Sequence, residues 1–179
     1  MCAAHPDSDA DIATLAKSYS RAAIVAELGV HTGDIGYFDE SLSLHSKGLE
    51  LIRELVRRHP ADAQIRRTLA DAMVTKAAAH VLAARELDRA IADCREALTI
   101  HEALAAADPS NVEAQQDLSY AHYTIGRAHQ LQQERSAAAD HFRKSISILE
   151  PLIAANPQNN ETRFDLQRSH RGLAETAAN

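Results

Sequence analysis

The chain is poor in residues that interrupt helices and lacks the patterns that build most other structures. Its 179 residues include six Gly and five Pro, against abundant Ala, Leu, Arg and Glu. These common residues lose little side-chain entropy in a helix or avoid breaking it. No alternating Val, Ile and Tyr run marks a sheet strand. No apolar run approaches the roughly 20 residues that cross a bilayer, so no membrane partner is expected. A formal charge of -6 weighs against a nucleic-acid surface. The opening MCAAHPDSDADI has no basic segment leading into an apolar core, so no secretory signal is read and a cytoplasmic location is expected. Cys2 and Cys94 are too far apart to make a disulfide framework and are read as free thiols, Cys94 on a buried helix face. Asn160-Glu161-Thr162 matches a glycosylation acceptor pattern, which is discounted without a signal sequence.

Local catalytic patterns are missing as well. There is no HExxH and no Cys paired with a nearby Cys, so no metal is expected. Gly33-Asp34-Ile35-Gly36 lacks the preceding strand and following Lys-Ser/Thr of a phosphate loop, and no cofactor is expected. The serines form no nucleophile elbow. His122 and His129 stand seven apart, and His170 follows His122 by 48, which could bring His122 and His170 together across adjacent repeats. Two imidazoles make a poor zinc site, and Asp117 and Glu175 lack the i, i+4 spacing that would add a third ligand. These histidines are read as semi-buried helix contacts. The chain is expected not to be an enzyme, the exception being an active site assembled from residues remote in sequence.

What the sequence does hold is a repeat. Pro60, Pro109 and Pro157 recur at intervals of 49 and 48, after LELIRELVRRHP, LTIHEALAAADP and ISILEPLIAANP. A unit copied about three times predicts stacked helical hairpins. The expected helices span about 12–31, 36–58, 62–82, 86–107, 111–131, 135–155 and 160–177, behind a loose tail at 1–10. Residues 11–179 form one domain, with repeats at about 12–60, 61–109 and 110–157 and a capping helix at 160–177. Gly33 and Gly36 permit a turn, proline disfavours helix at the residue before it, and Asp62, Asn111 and Asn159 or Asn160 are candidate N-caps. The link near Ala83 to Arg85 carries no breaker.

Amphipathic stripes support the hairpins. Leu42, His45, Leu49, Ile52 and Leu55 form one; Ala90, Cys94, Ala97, Leu98, Leu104 and His101 a second; Leu118, Ala121, Ile125 and Ala128 a third. Ala138, Phe142, Ser145, Ile148, Leu149 and Leu152 follow, then Leu166, Ser169 and Leu173 on the last helix.

Ile125-Gly126 followed by Ala138, Phe142 and Ser145 resembles the tetratricopeptide repeat family, including the spacing of 12 from Gly126 to Ala138. Leu28-Gly29 with Ser41, His45 and Gly48, and Ala77-Ala78 with Ala90, Cys94 and Ala97, repeat the pattern, His45 and Cys94 replacing the aromatic. Leu173-Ala174 recurs at the phase of Ile125-Gly126. The ordinary repeat is about 34 residues, so these are extended, similar to longer bacterial repeats of the family, some attached to signalling domains. The resemblance implies an all-α, right-handed superhelical stack of antiparallel hairpins with about seven helices. An ordinary helical bundle is the alternative.

The resemblance also implies that the first helix of each hairpin lines a concave face. Tyr120, Tyr123, Arg127 and Gln130 would lie there, joined by Arg168 and Arg171. Tyr rings and bidentate Arg could clamp an acidic peptide; otherwise the tyrosines are partly buried and the arginines solubilise. Ala23, Ala26, Val30, Ala72, Thr75 and Ala79 would line an apolar trough. It could receive an amphipathic helix, be covered by a second copy of the chain, or close by tight packing. The expected function is a non-enzymatic protein-interaction scaffold; the alternative is a regulatory or oligomerisation segment of a larger signalling protein.

Overall fold

The computed structural model describes residues 8–30 and 35–178, with only the backbone described at 20, 23–30, 35–37 and 178. Ala23, Ala26 and Val30 of the expected trough, the Leu28-Gly29 pair, the turn at Gly33 and the thiol of Cys2 therefore lie outside the described side chains. Helix follows helix: α1 (Asp9–Val30), α2 (Ile35–Arg58), α3 (Ala63–Leu82), α4 (Leu87–Ala107), α5 (Val112–Leu131), α6 (Arg135–Ala155) and α7 (Asn160–Ala178). Each packs on the next, which makes a stack of antiparallel hairpins. Contacts also run from α3 to α5 and from α5 to α7, so these three helices share one face. Among the described residues α1 makes no comparable contact with α3. No helix there is long and apolar enough to cross a membrane.

The helix starts have local causes. The Asp62 carboxylate accepts from the Gln64 and Ile65 amides, and the Asn111 side chain accepts from Ala114. Asn159 accepts from the Thr162 amide at 3.1 Å, which makes it, rather than Asn160, the cap of α7. Each satisfies a donor that the first turn of a helix leaves unpaired.

The α3–α4 link ends without a glycine or proline. Ala84 adopts a left-handed φ of 51°. The Arg85 amide donates to the His80 carbonyl and the Ala84 amide to Val81, the paired bonds of a Schellman motif. The end of α5 repeats this one hairpin later. Gln133 has φ 63°, Glu134 N–H bonds His129 C=O, and Gln133 N–H bonds Gln130 C=O. Left-handed backbone costs an L-residue about 1–2 kcal/mol and glycine almost nothing. Ala84→Gly and Gln133→Gly should therefore each stabilise the fold by about 0.5–1 kcal/mol, read as a higher urea midpoint with an unchanged slope. A lower midpoint would mean that another interaction holds these turns.

The core follows the stripes. His45, Leu49, Ile52 and Leu55 are buried on α2, and Leu69, Ala70, Met73, Val74 and Ala77 on α3. Cys94 is fully buried in a cluster that includes Ala77, Ala97 and Ile125, and burial pushes its thiol pKa up. It acts there as a small hydrophobe. Where α4 carries that thiol, α6 carries Phe142, fully buried and ringed by close backbone. A Cβ at Gly126 would sit 2.9 Å from the Phe142 ring, and one at Gly172 would sit 2.6 Å from it. Only glycine lets α5 and α7 approach the ring this closely. Beside it a chain of buried hydroxyls joins three helices: Ser119 Oγ to Ser145 Oγ at 2.8 Å, and Ser145 Oγ to Ser169 Oγ at 2.8 Å. Ser169 donates onward to the Asp165 carbonyl at 3.0 Å, so small residues allow close packing while their hydroxyls stay partnered. In the second hairpin the nearly buried Lys76 ammonium lies 3.3 Å from Asp93 on α4.

Candidate functional site

Among the described residues, one concavity lies between α1, α2 and α3 and another between α3 and α5. The larger, about 520 Å³, lies where α1 stands off from α3. Its walls are Ala13, Ala16, Lys17 and Arg21 of α1, Ile52 and Leu55 of α2, and Ile65, Thr68, Ala72 and Thr75 of α3, with Asp71 and Gln64 as further polar members. The lining is largely apolar, while Lys17 and Arg21 are exposed on one side. Ala72 and Thr75, expected in an apolar trough, line this groove; Ala79 is buried instead, 2% exposed.

The smaller concavity, about 290 Å³, is lined by Ala78, Val81 and Leu82 of α3 and by Tyr120, Tyr123, Thr124 and Arg127 of α5. The two tyrosine rings stack with centroids 6.3 Å apart. The Arg168 guanidinium of α7 lies 4.6 Å from the Tyr123 centroid, 5.3 Å from that of Tyr120 and 5.2 Å from that of Phe164. Its charge pairs with Asp165 at 3.0 Å. Arg127 donates to Gln130 at 2.9 Å and reaches Glu175 at 3.5 Å. Arg171 is exposed, 4.0 Å from Glu175. The structure thus brings the six expected partner-binding residues to neighbouring positions on α5 and α7. It also gives Arg168 and Arg127 partners within the chain, and Tyr120 and Tyr123 are half-buried.

Two polar clusters were not legible as such in the sequence. His170, which the repeat length set opposite His122, is exposed, whereas His122 is buried. Its partner is His141 of α6, with the two Nδ1 atoms 3.2 Å apart. In an antiparallel hairpin the residue opposite His122 lies equally far beyond the turn, not one repeat on. Burial, then the neighbouring charges, holds both imidazole pKa values down at about 4. His129 bonds Glu134 at 2.6 Å.

The second cluster joins α3, α4 and α5 next to the larger groove. Arg67 Nε lies 2.7 Å from Asp117 Oδ2, Arg67 Nη1 2.7 Å from Glu113, and Arg67 Nε 4.0 Å from Asp71 Oδ2. His101 Nε2 is 3.7 Å from Asp71 Oδ1, beyond hydrogen-bond reach. Burial, reinforced by Asp117, pushes the Asp71 carboxyl up to about 7. Three helices contribute these groups, so no spacing along one segment announces them. The one signal was His101 at a position of the α4 stripe where an apolar residue would serve the packing.

Set against protein-family models and curated proteins, the chain matches none.

Proposed function

We propose that this chain is a non-enzymatic protein-interaction module that takes up an amphipathic helical segment of a partner in the groove between α1 and α3. The single observation that carries this reading is the open, mostly apolar 520 Å³ groove bordered by Lys17 and Arg21. Apolar lining rewards burial of a partner's apolar side chains. The two cations favour acidic residues flanking them. The resemblance to tetratricopeptide repeats supports the same class of function, since stacked hairpins of that kind present a continuous face to a ligand. The groove is favoured over an acidic clamp at Tyr120 and Tyr123 because Arg168 and Arg127 already have partners there.

The reading is tested by capture from native lysate on the immobilised chain and on two variants, Ala72→Glu and Lys17→Glu/Arg21→Glu, each checked for native helicity. A partner held by the groove should be lost with Ala72→Glu. With the charge reversals its affinity should fall about tenfold, a change of about 1.4 kcal/mol, and lose much of its salt dependence. Recovery only of further copies of the chain would replace this reading with self-association. Equal capture by wild type and both variants would remove the groove from the function, and loss in Tyr123→Ala/Arg127→Ala/Arg171→Ala alone would return it to the tyrosine surface.

A further inference from the structure

We infer that Asp71, His101 and Asp117 form a binding site for a divalent first-row transition-metal ion at the junction of α3, α4 and α5. One ligand atom from each of the three residues lies within 4.8 Å of the others. Ligands on a zinc-sized ion sit about 2.0–2.1 Å from it, and hence about 3.3 Å from one another in a tetrahedron. The three groups must therefore draw in by about 1.5 Å at most. Asp71 has the freedom to do so, its side chain being 43% exposed where it lines the groove.

The imidazole sets this cluster apart from an ordinary patch of acids. His101 is 1% exposed, its Nδ1 has no hydrogen-bond partner, and its Nε2 is directed at Asp71 Oδ1 from 3.7 Å. The nitrogen open to a cation is Nε2, which faces the Asp71 carboxylate without a hydrogen bond, and an imidazole beside two carboxylates suits a borderline cation. Arg67 fits the same arrangement. It engages Oδ2 of Asp117 and faces Oδ2 of Asp71, so Oδ1 of each carboxylate stays available and the pair is held in orientation from behind. Three carboxylates, counting Glu113, surround that single guanidinium. When ionised, these carboxylates outnumber the one positive charge beside them, which favours a further cation.

The inference does not depend on the groove's having a partner. It is tested on the full chain, stripped of metal with a chelator, by calorimetric titration with Zn²⁺ and by the visible absorption of Co²⁺. One equivalent should bind, Co²⁺ should give ligand-field bands of a low-coordinate nitrogen and oxygen site, and Zn²⁺ should raise the melting temperature. His101→Gln and Asp71→Asn should each weaken binding at least about tenfold, while His170→Gln, at an exposed histidine, should leave it unchanged. Should His101→Gln fail to fold, Asp71→Asn decides alone, because that side chain is partly exposed. Absence of stoichiometric binding overturns the site. So does binding that survives in Asp71→Asn, or binding that is lost with His170→Gln.

Discussion

Replacing Phe142 by alanine is expected to destabilise the protein by about 3–5 kcal/mol, the range for removing a fully buried aromatic. That is a large part of the 5–15 kcal/mol typical of a folded domain. The ring is fully buried and wedged between Gly126 of α5 and Gly172 of α7. The same wedge makes the glycines intolerant. A Cβ at Gly172 would lie 2.6 Å from two ring carbons, and Gly126 prevents the ring from retreating, since a Cβ there would already be 2.9 Å away. Two effects of opposite sign then compete in Gly172→Ala. Helix propensity favours alanine by about 1 kcal/mol, and overpacking opposes it by about 1–3 kcal/mol or more. The steric term should win, for a net loss of about 1–2 kcal/mol. Once the ring is shortened, only propensity remains. In a Phe142→Leu background Gly172→Ala should be neutral or stabilising. Urea unfolding of both singles and the double gives the coupling energy. Additive effects would show that the ring and the glycine do not share this space.

The contrast with the second hairpin shows how far the sequence could be read. Helix limits on either side of Pro60, Pro109 and Pro157 were legible because proline and the Asp or Asn caps act locally. The α3–α4 link lies where it was expected, but its conformation was not legible, because Ala84 reaches a left-handed φ of 51° through backbone bonds that no side chain advertises. Cys94 was legible as buried, since a stripe fixes which face of a helix turns inward. What lies across that face was less so. His122 was matched to His170 by repeat length, whereas the structure pairs it with His141 across the α5–α6 turn. Repeat spacing relates equivalent positions, and hairpin geometry decides contacts. The cluster of Asp71, His101 and Asp117 belongs to neither relation, because it draws one residue from each of three helices.

The His122–His141 pair carries the second large expectation: stability should fall steeply as the solution is acidified from pH 7 to pH 5. At an Nδ1–Nδ1 separation of 3.2 Å one nitrogen must donate and the other accept. Protonating the acceptor sets two N–H groups against each other in a half-buried space. Burial is the main cause that holds both pKa values at about 4; His141 and then Lys144 add to it for His122, and Lys144, His129 and Arg95 for His141, with Asp140 opposing. An unfolded histidine titrates near 6.5. Between about 6.5 and 4 the unfolded chain therefore binds protons that the folded chain refuses, and stability drops as pH falls through that window. At pH 5 the loss should be on the order of 2–4 kcal/mol for the pair. Asp71 works in the opposite sense. Its folded pKa of about 7 lies above the unfolded value, so the folded chain binds the extra proton and gains stability on acidification. The histidine contribution is thus read as a difference, by comparing wild type with His122→Asn/His141→Gln in urea unfolding at pH 7 and pH 5. The double variant should lose less stability than wild type between the two, by about 2 kcal/mol or more. Equal losses in the two proteins would mean that acid acts elsewhere, and that the histidine pair accepts its proton without parting the helices.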